Sequence, residues 1–88
     1  MKMKTDDIIK KIWDSQGFGN VAVWQDGTMT VVSPGDTGKS DEKAPIALFK
    51  PLALVAGYPM LDHALGDKAL RGTIETTIRD AGGEISGD

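Results

Sequence analysis

The run Ser33-Pro34-Gly35-Asp36-Thr37-Gly38-Lys39-Ser40 ends in the Gly-Lys-Ser that closes a phosphate-binding loop. In such a loop a leading glycine, four residues and then Gly-Lys-Ser/Thr let successive backbone N–H groups curl around the phosphates, while the lysine reaches the outer ones. Here Ser33 stands where the leading glycine is needed. The strand-like stretch Met29-Thr30-Val31-Val32 precedes the run as the motif requires, but the residues after Ser40 do not fit a helix. Pro45 lies five residues past Ser40 and would take a donor out of the second turn of a helix begun there. Asp41 and Glu42 crowd the place where an anion would sit, and no later apolar run ends in the aspartate that helps hold magnesium. The spacing predicts a polar, solvated loop over residues 34–45 and no nucleotide hydrolysis. The alternative is a small-ligand binder that contacts a phosphate or nucleotide through Gly35 to Ser40.

Other chemistry has few residues to work with. His63 is the single side chain whose unperturbed pKa falls near neutrality, and on a helix its neighbour Asp62 points about 100° away, too far round to orient the ring. Ser15, Ser33, Ser40 and Ser86 all lack the Gly-x-Ser-x-Gly setting of a nucleophile elbow. Without cysteine there are no thiolate metal sites or disulfides, and Asp36, Asp41 and Glu42 miss the alternating pattern of a calcium loop. The residues therefore predict no enzyme activity, no cofactor and no metal.

The bulk properties agree with an ordinary small domain. Of the 88 residues 40% are hydrophobic and 26% charged, enough for one modest core. The net charge is −3, and the excess falls in residues 51–88, where Asp62, Asp67, Glu75, Asp80, Glu84 and Asp88 face Lys68, Arg71 and Arg79. This balance argues against a nucleic-acid partner, which needs a basic face. The basic start Met1-Lys2-Met3-Lys4 turns acidic at Asp6-Asp7 and does not read as a secretory signal. The apolar stretch from Ile46 to Gly57 is broken by Lys50 and Pro51 and is too short to span a bilayer. A cytoplasmic location is the expectation.

The elements that must position any site emerge from periodicity. Thr5 to Ser15 reads as a helix capped by Thr5, with Ile8, Ile12 and Ile9, Trp13 in adjacent i,i+4 rows and Trp13 in the core. Val21 to Val32 reads as a hairpin turning at Asp26-Gly27 through a two-residue type I′ loop. That turn would pair Trp24 with Met29 and Ala22 with Val31 on one face, and Val23 with Thr30 and Val21 with Val32 on the other. Ile46 to Phe49 is expected to add a third strand, because Pro51 then opens the next helix at its first position. Short helices come next, at Pro51 to Ala56 and Pro59 to Leu65. Asp67 caps a terminal helix from Lys68 to Ala81, buried through Leu70, Ile74 and Ile78, with Arg71, Glu75 and Arg79 as an exposed ladder. Residues 84–88 are expected to fray.

The class expected is α+β in a single domain over residues 1–88. The hairpin is apolar on both faces, so one face wants a partner or a second layer. The function expected is a non-enzymatic interaction module that binds a protein partner or self-associates. Trp24, Asp26 and Met29 form its contact patch, with Asp36, Lys39, Asp41 and Glu42 as a polar rim. In format alone it resembles small acidic inhibitor, immunity and phage anti-defence proteins; an oligomeric structural subunit is a further possibility.

Overall fold

The computed structural model describes residues 2–35 and 44–85. In chain order it comprises β1 (Lys2–Met3), α1 (Thr5–Asp14), β2 (Asn20–Val23), β3 (Met29–Val32), β4 (Ala47–Phe49), α2 (Pro51–Leu54), α3 (Leu61–Gly66), α4 (Lys68–Asp80) and β5 (Glu84–Ile85). The class is α+β, with an antiparallel three-stranded sheet in the order β3-β2-β4. The third strand lies where the Pro51 argument puts it, and Pro51 opens α2.

Helix α1 buries Ile8, Ile9 and Ile12 completely, while Trp13 is half-buried against the core. Thr5 does not cap it. Lys4 is the cap residue and offers no side-chain bond; Thr5 is the first helical residue, and its buried hydroxyl donates to Glu75 Oε2 on α4 at 2.8 Å. The terminal helix is capped as the sequence indicates, since the Asp67 carboxylate accepts from the N–H groups of Ala69 and Leu70. That carboxylate also accepts from the Tyr58 hydroxyl. The bond from Tyr58, and then those from Leu70 and Ala69, hold the Asp67 carboxyl below its ordinary value.

Two further expectations are corrected here. Of the ladder Arg71, Glu75 and Arg79, the Glu75–Arg79 pair forms at 4.0 Å with Arg79 exposed, but Arg71 and Glu75 are half-buried, because α1 and α4 pack so that both lie on their seam. Arg71 pairs with Asp6 and donates to the Leu65 carbonyl at 3.0 Å, and Glu75 receives Thr5. Nor does the whole tail after Gly83 fray: Glu84–Ile85 pairs in parallel with Lys2–Met3, Ile85 lying opposite the buried Met3. Two residues at each end are too few to read as strands by periodicity.

The core lies between the helices and one face of the sheet. Val21, Val23, Ala47 and Phe49 join Ile8, Ile9, Ile12, Leu70, Ile74 and Ile78 in one cluster. The Cα envelope measures 38 × 30 × 16 Å. Its thinnest dimension suits two packed layers about 10 Å apart, so the helices cover one side of the sheet.

Candidate sheet face and cleft

The geometry of any site on the sheet is set at the hairpin turn. The Trp24 N–H donates to the Thr28 carbonyl at 2.9 Å, so the loop has three residues, Gln25, Asp26 and Gly27. The Gly27 N–H closes a β-turn on the Trp24 carbonyl, and Gly27 alone in the loop takes a positive φ, +89°. A type I′ turn would demand positive φ from Asp26 as well. The three-residue loop avoids that strain, and the Asp26 carboxylate fixes it by accepting from the Thr28 N–H at 3.0 Å and the Thr28 hydroxyl at 2.6 Å.

This corrects the register by one residue. Val23 pairs with Met29, Ala22 with Thr30, Val21 with Val31 and Asn20 with Val32. Because side chains alternate, the slip sends one strand's residues to the opposite face. Trp24 and Met29 therefore part company. Met29 shares the helix-covered face with Val23 and packs half-buried against the core. Trp24 stands on the outer face, where its indole N–H donates to Thr30 Oγ1 at 2.9 Å.

The outer face carries Asn20, Ala22 and Trp24 from β2 and its extension, Thr30 and Val32 from β3, and Leu48 from β4, which pairs with Ala22. Ala22 is buried, and Trp24, Val32 and Leu48 are half-buried. None of these four belongs to the core cluster or to the side chains packed against it.

At the Asn20 end of this face lies a cleft of about 490 Å³ lined by Gly17, Gly19, Asn20, Pro34, Gly35 and the segment from Lys50 to Ala53. Leu52 lines the cleft, and Phe18 sits between two of its glycines; each is 77% exposed. Gly19 makes the corner possible, since a Cβ there would come within 2.1 Å of the Val32 carbonyl oxygen. Strand rise places the cleft about 13 Å from Trp24.

Of the residues singled out from sequence, Trp24 and Asp26 lie at the turn end of the hairpin, Asp26 exposed. Asp36, Lys39, Asp41 and Glu42 lie outside the described residues. His63 is exposed on α3. Among the described residues no three acidic, histidine or cysteine side chains gather where they could hold a metal, and no helix is long and apolar enough to cross a membrane. Phe18 and Leu52 escaped the sequence reading because one served only as part of a helix stop and the other as a helix residue. A large aromatic between two glycines was the available signal.

Comparison with protein-family models, with curated proteins and with solved structures finds no match.

Proposed function

We propose that this domain is a non-enzymatic protein–protein interaction module whose partner lies across the outer sheet face and into the cleft at its Asn20 end. One observation carries the reading. Leu52 lines the cleft and Phe18 lies in the chain between two of its lining glycines, each 77% exposed, and Asn20 joins that cleft to a sheet face bearing Trp24, Val32 and Leu48 outside the core. Isolated exposed apolar residues need no explanation, but an aromatic and a leucine beside a concave surface provide the anchors from which interfaces draw most of their energy. Lys50 at the same cleft adds a cation that suits a carboxylate on the partner. The module acts by occupying its partner's surface, as the small acidic inhibitors it resembles in format would do.

The test is capture of a partner by the intact chain, repeated with the double variant Phe18→Ser, Leu52→Ser. Loss of the captured protein from a variant that keeps the wild-type circular dichroism supports the reading. Equal capture by both chains overturns it.

A second reading has a specific observation in its favour: Gly35, which begins the Gly35-to-Ser40 stretch, lines the cleft together with Lys50. A phosphate or nucleotide held there would be detected by titrating inorganic phosphate, ATP and GTP against the wild type and Lys39→Ala. Specific binding that is lost with Lys39→Ala would favour this reading over a protein partner.

A further inference from the structure

The two edges of the sheet differ in what adjoins them. The β4 edge is three residues long, is preceded by Pro45, and runs into Lys50 and Pro51. Short length, lysine and proline are the features that blunt an edge against pairing with another chain. The β3 edge is one residue longer, with Pro34 two residues beyond its end, and it lacks the lysine. Its sequence is Met29-Thr30-Val31-Val32, uncharged, rich in β-branched residues, and paired with β2 through four consecutive residues without a bulge. Among the described residues no strand pairs with its outer side.

The hydrogen-bond phase shows which groups that side presents. Trp24 N–H bonds Thr28, and the Val23 carbonyl turns the other way to accept from Ile46 N–H of the β4 segment at 2.8 Å. In an antiparallel ladder such directions alternate. Ala22 and Thr30 therefore bond one another, while Met29 and Val31, opposite Val23 and Val21, direct their N–H and C=O groups outward.

We infer that the β3 edge pairs antiparallel with β3 of a second copy, making a continuous six-stranded sheet across a two-fold axis at Thr30. The strand is complementary to itself in this register. Met29 meets Val31 of the other copy in two symmetry-related pairs, and these are the residues whose backbone groups point outward. Their side chains also share the helix-covered face, so each Val31, 41% exposed in the single chain, is covered by the opposing Met29. Charge selects the same place. Two chains of net charge −3 repel, and the stretch from Thr28 to Gly35 carries no charge at all. One strand pair buries less than the roughly 1,200–2,000 Å² of a standard stable interface, so the dimer is weak and depends on concentration. This edge is separate from the cleft and stands or falls independently of the partner-binding reading.

The test is sedimentation of the full chain from about 10 μM to about 1 mM, a range that spans weak association, with amide hydrogen exchange at both ends. The wild type is expected to shift from monomer to dimer, with Met29 and Val31 amides gaining protection. Val31→Lys, which charges the edge, and Val31→Pro, which removes an outward N–H without costing the β2 ladder a bond, should both remain monomeric with unchanged circular dichroism. Val31→Thr should restore the dimer. A chain monomeric throughout overturns the inference and leaves the edge to a foreign strand or to none. A dimer that survives Val31→Lys, or one whose protection falls at Asn20 and Leu52 instead, also overturns it.

Discussion

Trp24 and Thr30 share the outer face of the sheet, tied by a 2.9 Å hydrogen bond from the indole N–H to the threonine Oγ1, while Met29 between them in the hairpin turns inward to the helices. The tryptophan is thus tied to its sheet by its own neighbour and is not part of the core cluster. Trp24→Ala is expected to lower stability by about 1 kcal/mol, as for a partly exposed side chain. Ile12→Ala or Ile74→Ala, each deleting a fully buried side chain, should cost about 2–5 kcal/mol. Trp13→Ala should fall between them, because that ring is only half-buried. Urea denaturation midpoints would reveal a different order if Trp24 were a core residue.

Gly27 holds the hairpin loop at φ +89°. Gly27→Val should destabilise the fold by more than about 1 kcal/mol, since a β-branched residue resists positive φ. An unchanged denaturation midpoint would mean that the loop does not have this form.

Gly19 lies against β3 so closely that a Cβ would meet the Val32 carbonyl oxygen at 2.1 Å. Gly19→Ala must push the Asn20 and Val32 ends of the strands apart, at about 1–3 kcal/mol for an overpacked contact. Faster amide exchange in Asn20 and Val32 than in Val23 would locate the damage at the cleft end. A uniform effect along the hairpin would not fit.

The Tyr58 and Asp67 pair makes stability depend on pH in two windows. The Tyr58 hydroxyl, followed by the Leu70 and Ala69 N–H groups, keeps the Asp67 carboxyl depressed, and the bond to Asp67 raises the Tyr58 phenol. A depressed carboxyl stabilises the fold above its unfolded value near 3.9, and the contribution is lost as pH falls through the lower folded value. A raised phenol stabilises below about pH 10, and that contribution is lost as pH rises through the higher folded value. Asp6, depressed by its hydrogen bond from Arg71, adds to the acid limb. Tyr58→Phe should therefore lower the thermal midpoint at neutral pH, and its deficit should narrow toward both extremes. A deficit constant from acid to alkaline pH would remove the pair as its source.

Local chemistry was enough to determine most of the elements. Isoleucines at helical spacing made α1 amphipathic, Asp67 before an apolar-periodic run marked the start of α4, and Pro51 separated β4 from α2. Each depends on interactions within a few residues, which a sequence displays directly. The register was harder, because a loop of two or three residues around Asp26-Gly27 satisfies the same composition. The choice was made by the Asp26 carboxylate reaching Thr28 and by the avoidance of positive φ at a non-glycine. That single residue moved Trp24 and Met29 to opposite faces. Only tertiary packing could put Thr5 against Glu75 and Lys2–Met3 beside Glu84–Ile85, since these partners stand some seventy or more residues apart. The same packing made the cleft: Gly17, Gly35 and Leu52 belong to three separate segments, and nothing along the chain connects them until the sheet brings its Asn20 end to meet all three.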